Sequence, residues 1–131
     1  MRRYDFVRFG LEQGHRKETA FELHQTTESF YHCVLLVCTF YTPHIHNLGF
    51  LRIQAERLDR RLAGVWPMDT RKDRAMFEKL KDAYVKARYS KHYSISDDEL
   101  SWLRVCVEEL GHVVQAVCLE RIEALERSAA A

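Results

Sequence analysis

Apolar residues recur at spacings of three and four along almost the whole of this chain, and only two prolines and five glycines interrupt the pattern. These spacings place side chains on one face of an α-helix, whereas half-buried strands show a spacing of two. A chain of 131 residues is the size of one domain that buries its own core. The sequence therefore predicts a single all-α domain over residues 1–131. We expect an antiparallel up-and-down bundle of four main helices, with a short extra helix and a frayed tail over 128–131.

Capping residues, glycines and prolines set the bounds of the predicted helices. Gly14 ends the short first helix, and Ser96 with Glu99 forms a capping box in which each side chain bonds the other residue's backbone amide. Gly111, in the middle of the last helix, indicates close packing against another helix or another chain. The predicted helices cover residues 4–13, about 16–41, from an N-cap at Asn47 to about 62, from a cap at Asp69 or Thr70 through 89, and from the capping box onward.

Charge and cysteine usage exclude several classes of protein. Twenty Lys and Arg residues face nineteen Asp and Glu residues, a formal charge of +1, so this is not a strongly basic protein that wraps duplex DNA. Cys33, Cys38, Cys106 and Cys118 form no CxxC pair and lie in apolar helical runs, so we expect reduced, buried thiols. The start of the chain lacks the apolar region of a signal peptide, and the longest apolar run, 33–41, is too short to cross a bilayer. We therefore expect a cytoplasmic protein without membrane contact.

One segment near the end of the fourth predicted helix concentrates reactive side chains. Arg88, Tyr89, Lys91, His92 and Tyr93 lie within six consecutive positions. Two interpretations stay open. In the structural one, cations complement the carboxyl end of a helix dipole, and tyrosines wedge the turn against the core. In the functional one, the cations hold a phosphate while an aromatic ring stacks on a base, or the imidazole moves a proton.

A line of polar residues runs along the first half of the longest predicted helix. His24, Glu28 and His32 lie at intervals of four, with Gln25 beside them. Such a line is either a solvated helix face or one wall of a site. If this helix packs beside the one that ends at Arg88, Glu28 can pair with Arg88 and His24 can line the same cleft.

No metal or cofactor site is predicted. His44 and His46 lie close together in the turn after the longest helix, but cysteines and carboxylates are not at an established ligand spacing from them. We expect His46 and Asn47 to bond the backbone of this turn, and His44 to be exposed. The sequence also lacks GxSxG, HExxH and glycine-rich phosphate loops, which argues against classical cofactor enzymes.

Three stretches of the chain together resemble the HEPN family, the helical "higher eukaryotes and prokaryotes nucleotide-binding" domains. They are 20–28 (AFELHQTTE) with the apolar run that follows, 42–48 (TPHIHNL) and 83–89 (AYVKARY). Their order and spacing carry the resemblance, which covers the chain from about Arg16 to the last helix. It implies a bundle of antiparallel helices, often dimeric, with a cleft near the arginine of the third stretch.

The HEPN family has two broad functional groups. Some members are metal-independent RNases or toxins that use an arginine, four to six intervening residues and a histidine. Others bind nucleotides or act with a minimal nucleotidyltransferase, which is fused to them or encoded as a partner. This chain departs from the RNase pattern, because only three residues separate Arg88 from His92. On a helix, a shift of one position rotates the imidazole by about 100°.

The resemblance therefore implies a non-catalytic nucleotide-binding module that acts with a nucleotidyltransferase, as a homodimer. In such a module Arg88 and Lys91 contact phosphate, and Tyr89, His92 and Tyr93 contact the base or ribose. The cleft is shaped by residues that match the second-helix motif and the turn after it: His24, Gln25, Glu28, His46 and Asn47. The alternative is an RNase or toxin that binds RNA, in which Arg88 stabilises charge at phosphorus and His92 is the general acid or base.

Overall fold

The computed structural model describes residues 3–130, with their side chains except those of residues 3–11, 13, 87 and 88. Helices and no strands occur in this range, and none of the helices is long and apolar enough to cross a membrane. The helices are α1 (Arg3–Thr39), α2 (Leu48–Glu56), α3 (Arg60–Ala63), α4 (Arg71–Asp82), α5 (Lys86–Tyr89) and α6 (Asp97–Ala130). The predicted all-α bundle is confirmed, with α1, α2, α4 and α6 as its main helices.

Helix α1 is one continuous helix of 37 residues, so the prediction of a separate short helix over residues 4–13 is wrong. A glycine that ends a helix usually has a positive φ, and no glycine in the described part of the chain has one. Gly14 therefore lies inside α1, where it weakens the helix by about 1 kcal/mol without ending it. The helix ends instead at Thr39, and Phe40 takes the left-handed conformation with a φ of 64°.

Two other predicted helices are each divided in the structure. The third is divided into α2 and α3, because the side chain of Asp59 accepts a hydrogen bond from the Arg61 amide and starts a new helix. The fourth is divided into α4 and α5 by a turn over residues 83–85. At the end of the chain, α6 continues through Ala130, so residues 128–130, predicted as a frayed tail, are helical.

The N-capping residues predicted from the sequence are confirmed. Asn47 accepts a hydrogen bond at 3.0 Å from an amide in the first turn of α2. Thr70 begins α4 with a capping box of its own. The Glu99 amide donates to the Ser96 hydroxyl at 3.1 Å, and the Ser96 amide donates to the Glu99 carboxylate at 2.9 Å. The start of α6 is therefore determined by residues 96–99.

Helices α1 and α6 lie side by side and run in the same direction. Three contacts between them advance together along both helices: Arg16 with Asp97 at 2.9 Å, Phe30 with Gly111, and the Phe40 ring centre with the Arg121 guanidinium at 5.9 Å. A Cβ at Gly111 would lie 2.8 Å from Phe30 Cζ. The predicted close packing at Gly111 is therefore confirmed, and α1 is the helix that it packs against.

The parallel direction of α1 and α6 has its origin in the segment 40–47, which we call the return segment. This segment has no helix of its own and runs back along α1, where His32 contacts both Thr42 and Ile45. Helix α2 therefore begins beside the middle of α1 rather than beside its end. In a strict up-and-down bundle of four helices, successive helices alternate in direction, so the first and the last run in opposite directions. The return segment adds one reversal that contains no helix, and α1 and α6 are therefore parallel.

The four cysteines are free thiols in different environments. Cys106 and Cys118 are buried, Cys38 is half-buried and Cys33 is exposed. The prediction of buried thiols is therefore wrong for Cys33, which is exposed in an open groove between α1 and α6, near Cys118. Burial raises the pKa of the Cys106 thiol to about 11, which keeps it protonated and unreactive at neutral pH.

Candidate functional site

The polar line of α1 is largely buried rather than solvated. His24 is fully buried and Glu28 is 8% exposed. The return segment covers one side of this line, and α4 and α5 both pack against α1. This is the arrangement under which the polar line becomes one wall of a site. The side chain of Arg88, the predicted partner of Glu28, lies outside the described residues.

Glu28 and His46 form the closest polar contact of the site. His46 Nδ1 lies 2.7 Å from Glu28 Oε1, and the Glu28 side chain is only 11% exposed. An ionised carboxylate can only accept hydrogen bonds, so His46 Nδ1 carries the proton and donates it to Glu28. The His46 side chain is 57% exposed. The pair therefore joins a buried acceptor to a histidine at the surface.

His32 holds the return segment in the position that brings His46 to Glu28. Its Nε2–H donates to the Ile45 carbonyl at 3.2 Å, and its Nδ1 accepts a hydrogen bond from the Thr42 hydroxyl. His32 Nε2 is 3.7 Å from Glu28 Oε1, so Glu28 is near this ring as well. Through its two bonds to the return segment, His32 fixes this segment against α1.

His24 is a neutral histidine in the interior. Its Nδ1–H donates to Gln25 Oε1 at 3.1 Å, so the lone pair of the neutral ring is on Nε2, which is buried. Burial lowers the pKa of the His24 imidazole, although the hydrogen bond to Gln25 opposes the shift. His24 Nε2 and Glu28 Oε2 are both buried without a hydrogen-bond partner. Two such atoms in one place are unusual, because buried polar atoms are normally paired.

Tyr84, in the turn between α4 and α5, joins these side chains from the other side. Its ring stacks against His46 with a centroid distance of 4.9 Å, and against His24 with a centroid distance of 5.2 Å. We call Glu28, His24, His46 and Tyr84 the His–Glu cluster. Tyr84 was not predicted as a site residue, because its position on the apolar face of the fourth predicted helix is typical of an ordinary core residue. The turn that places it there is not evident from the spacing.

The cationic segment after α4 divides into exposed and buried side chains. Tyr89 is 78% exposed, and Lys91 and His92 are exposed beside it. Tyr93 is instead buried, and its hydroxyl donates to the Lys79 carbonyl at 2.9 Å. Burial raises the pKa of Tyr93, so its hydroxyl remains protonated at neutral pH. Tyr93 therefore wedges the turn against α4, as in the structural interpretation of this segment.

A polar groove lies between α4 and this turn. It has a volume of about 580 Å³, and its lining residues include Glu78, Asp82, Lys86, His92 and Tyr93. Lys86 is paired with Asp82 at 3.2 Å in this groove. None of the four residues of the His–Glu cluster is among the residues that line this groove.

Two of the predicted turn residues have structural partners. Asn47 caps α2 with its side-chain oxygen, as predicted, whereas His46 bonds Glu28 instead of the backbone of its own turn. His44 is exposed, as predicted. Within the described side chains, no group of three or more His, Cys, Asp and Glu residues is arranged to hold a metal ion.

Comparison with known proteins adds no family to these observations. No protein-family model matches the chain, and no curated protein is significantly similar to it. The function of this chain is therefore inferred from the residues described above and from the three stretches that resemble the HEPN family.

Proposed function

We propose that this chain is a non-catalytic nucleotide-binding module of the HEPN type that acts, as a homodimer, with a minimal nucleotidyltransferase. The observation that carries the proposal is the position of α5. This helix packs against α1 beside the His–Glu cluster, and it leads into the exposed residues Tyr89, Lys91 and His92. Cations, an open aromatic ring and a polar cluster are thus within the length of one short helix. Cations bind phosphates, an aromatic ring stacks on a base, and polar side chains form hydrogen bonds with a sugar.

The roles in this proposal follow from charge and, for the described side chains, from exposure. Arg88 and Lys91 contact the phosphates, and Tyr89 and His92 contact the base or ribose. The His–Glu cluster forms the wall of the cleft, with Gln25 holding His24. Tyr93 and Asn47 support the site indirectly, because the Tyr93 hydroxyl and the Asn47 side-chain oxygen are bonded to the backbone.

Equilibrium binding of fluorescent ATP and GTP tests the proposal. We expect wild-type protein to bind at least one of them, and Arg88→Ala and Lys91→Ala each to weaken binding about 10-fold, as for loss of a charge-assisted hydrogen bond. Arg127→Ala is the matched control, because Arg127 is exposed in the last turns of α6. Unchanged affinity in Arg88→Ala would remove the assigned phosphate contact, and no binding by the wild type would refute the proposed function.

An RNase is the second candidate function, and the exposure of His92 favours it. His92 lines the polar groove together with Lys86, so its imidazole can reach a phosphodiester there. Incubation of the purified protein with RNA in EDTA distinguishes the two functions. RNA cleavage by the wild type that is lost in His92→Ala would establish RNase activity. Intact RNA would leave nucleotide binding as the favoured function.

The homodimer in the proposal is supported by apolar side chains on the outer faces of the two long helices. Leu36 on α1, Phe40 directly after α1, and Leu119 on α6 are each more than half exposed. Light scattering after size-exclusion chromatography measures the mass directly, and a mass equal to one chain at all concentrations would refute the homodimer. A nucleotidyltransferase encoded beside this chain, or fused to it, would support the proposed partner.

A further inference from the structure

Glu28 determines which nitrogen of His46 is available to a ligand. Because the carboxylate accepts the Nδ1 proton at 2.7 Å, the neutral imidazole keeps its lone pair on Nε2. No hydrogen bond joins Nε2 to any side chain or backbone atom in the described part of the chain, and the His46 side chain is 57% exposed. His46 thus presents a hydrogen-bond acceptor at the surface.

Two contacts fix the orientation of this acceptor. The bond to buried Glu28 holds one edge of the ring, and Tyr84 lies nearly parallel to the ring, with an interplanar angle of 14°. His32 adds a third constraint by holding Ile45, the residue before His46. An acceptor that is already oriented loses little conformational entropy when it binds a partner.

We infer that His46 Nε2 accepts a hydrogen bond from an uncharged donor on the nucleoside part of the ligand, a ribose hydroxyl or an amino group of the base. The inference rests on the proposed function and makes it more specific. A lone pair cannot bond the oxygens of an ionised phosphate, because these oxygens carry no proton at neutral pH. His46 therefore selects the nucleoside, while the cations of the segment after α4 hold the phosphates. Glu28 and Tyr84 are positioning residues that act through His46.

A cycle that combines protein variants with ligand analogues tests this contact. The tighter-binding of ATP and GTP is compared with its 2′-deoxy form, its 3′-deoxy form and the analogue that lacks the exocyclic amino group. We expect one analogue to bind wild-type protein about 3- to 10-fold more weakly than its parent, the worth of one neutral hydrogen bond. In His46→Ala the same analogue and its parent should bind equally. The analogue that shows this pattern identifies the donor as a hydroxyl or an amine.

His44→Ala is the matched control, since His44 is an exposed histidine of the same segment. It should retain the wild-type preference for the parent nucleotide. If every analogue loses the same factor in wild type and in His46→Ala, the inference is wrong while nucleotide binding stands. If the wild type binds no nucleotide, both are wrong.

The positioning role of Tyr84 gives a second test. Tyr84→Phe keeps the stacked ring and should retain the preference for the parent nucleotide, whereas Tyr84→Ala should lose it even in folded protein. Nitrogen-15 spectra of the histidine rings provide a measurement without ligand. They should show His46 in the Nδ1–H form, and an Nε2–H form would overturn the inference, because the lone pair would then face Glu28.

Discussion

At the scale of single residues, histidines of this chain differ because their surroundings differ. His24 is buried and neutral, His32 clamps the return segment, and His46 bonds Glu28 at the surface. His92 is exposed in the polar groove. The side-chain chemistry is the same in all of them. Burial and the identity of each hydrogen-bond partner decide which nitrogen carries the proton, and neither can be obtained from sequence spacing alone.

The buried imidazole of His24 predicts a loss of stability in mild acid. Burial lowers the pKa of His24 below its ordinary value of 6.5, so the unfolded chain binds a proton that the folded chain does not. This contribution to stability is complete above pH 6.5 and is lost as the pH falls from 6.5 towards the lower pKa of the folded state. Urea unfolding between pH 7.5 and 5.5 measures the effect, with a limiting slope of about 1.4 kcal/mol per pH unit.

Two variants separate the contribution of His24 from that of other histidines. His24→Gln should show a smaller slope over this pH range, even if it is less stable at every pH. His112→Gln, at an exposed position of α6, should keep the wild-type slope. An equal slope in His24→Gln and wild type would contradict the assignment.

Gly14 and Gly111 both lie inside long helices, yet alanine should have opposite effects at the two positions. A Cβ at Gly14 meets no atom within 4 Å, so Gly14→Ala should stabilise the protein by about 0.5–1 kcal/mol through helix propensity. At Gly111 the Cβ would lie 2.8 Å from Phe30 Cζ, and the overpacking should exceed that gain and destabilise by about 1 kcal/mol. Free energies of unfolding in urea measure both changes. Equal stabilisation by the two variants would show that Phe30 moves aside without cost.

At the scale of elements, one side chain of α1 holds the return segment at two positions. His32 bonds this segment at Thr42 and at the Ile45 carbonyl. His32→Ala removes both bonds and leaves the Ile45 carbonyl without this partner, so we expect a loss of about 1–3 kcal/mol in the free energy of unfolding. The His46 ring resonances should shift as well, because the segment is no longer held beside Glu28. His15→Ala, at an exposed position of α1, should change neither quantity.

The elements that were predicted correctly have local causes. The caps at Asn47, Thr70 and Ser96 each act on the backbone within three residues, so the sequence contains the whole interaction. The break at Gly14 was predicted wrongly for the complementary reason. A glycine permits a helix to end but does not require it, and Gly14 lacks the positive φ with which a glycine ends a helix.

The candidate site was predicted in part. His24, Gln25 and Glu28 were selected because they share one helix face, and His46 because it belongs to a stretch that resembles a known family. The contacts that unite them were not predicted. They depend on the direction of the return segment and on the turn that presents Tyr84, and both features are tertiary.

At the scale of the whole molecule, a chain of side-chain contacts joins elements that are distant in sequence. The indole N–H of Trp66, between α3 and α4, donates to the Tyr31 hydroxyl of α1 at 2.8 Å. The Trp66 ring meets Phe77 of α4 edge-on at 5.1 Å, and the Arg52 guanidinium of α2 lies 4.5 Å from the Phe77 ring centre. This chain of contacts therefore connects α1, α2 and α4 with the segment between α3 and α4 that carries Trp66.

The Tyr31 hydroxyl is the polar centre of this connection, and its removal should destabilise the whole fold. Tyr31 is fully buried and Trp66 is 2% exposed, so Tyr31→Phe leaves the indole N–H without a partner in the core. We expect a loss of about 1–3 kcal/mol in the free energy of unfolding, measured by urea denaturation. Tyr41→Phe, at a position that is 68% exposed, should change stability by less than about 0.5 kcal/mol.

In the Trp66→Phe background the indole donor is absent, so Tyr31→Phe should then reduce the free energy of unfolding by much less. An equal cost in both backgrounds would show that the hydroxyl stabilises the bundle through some contact other than Trp66.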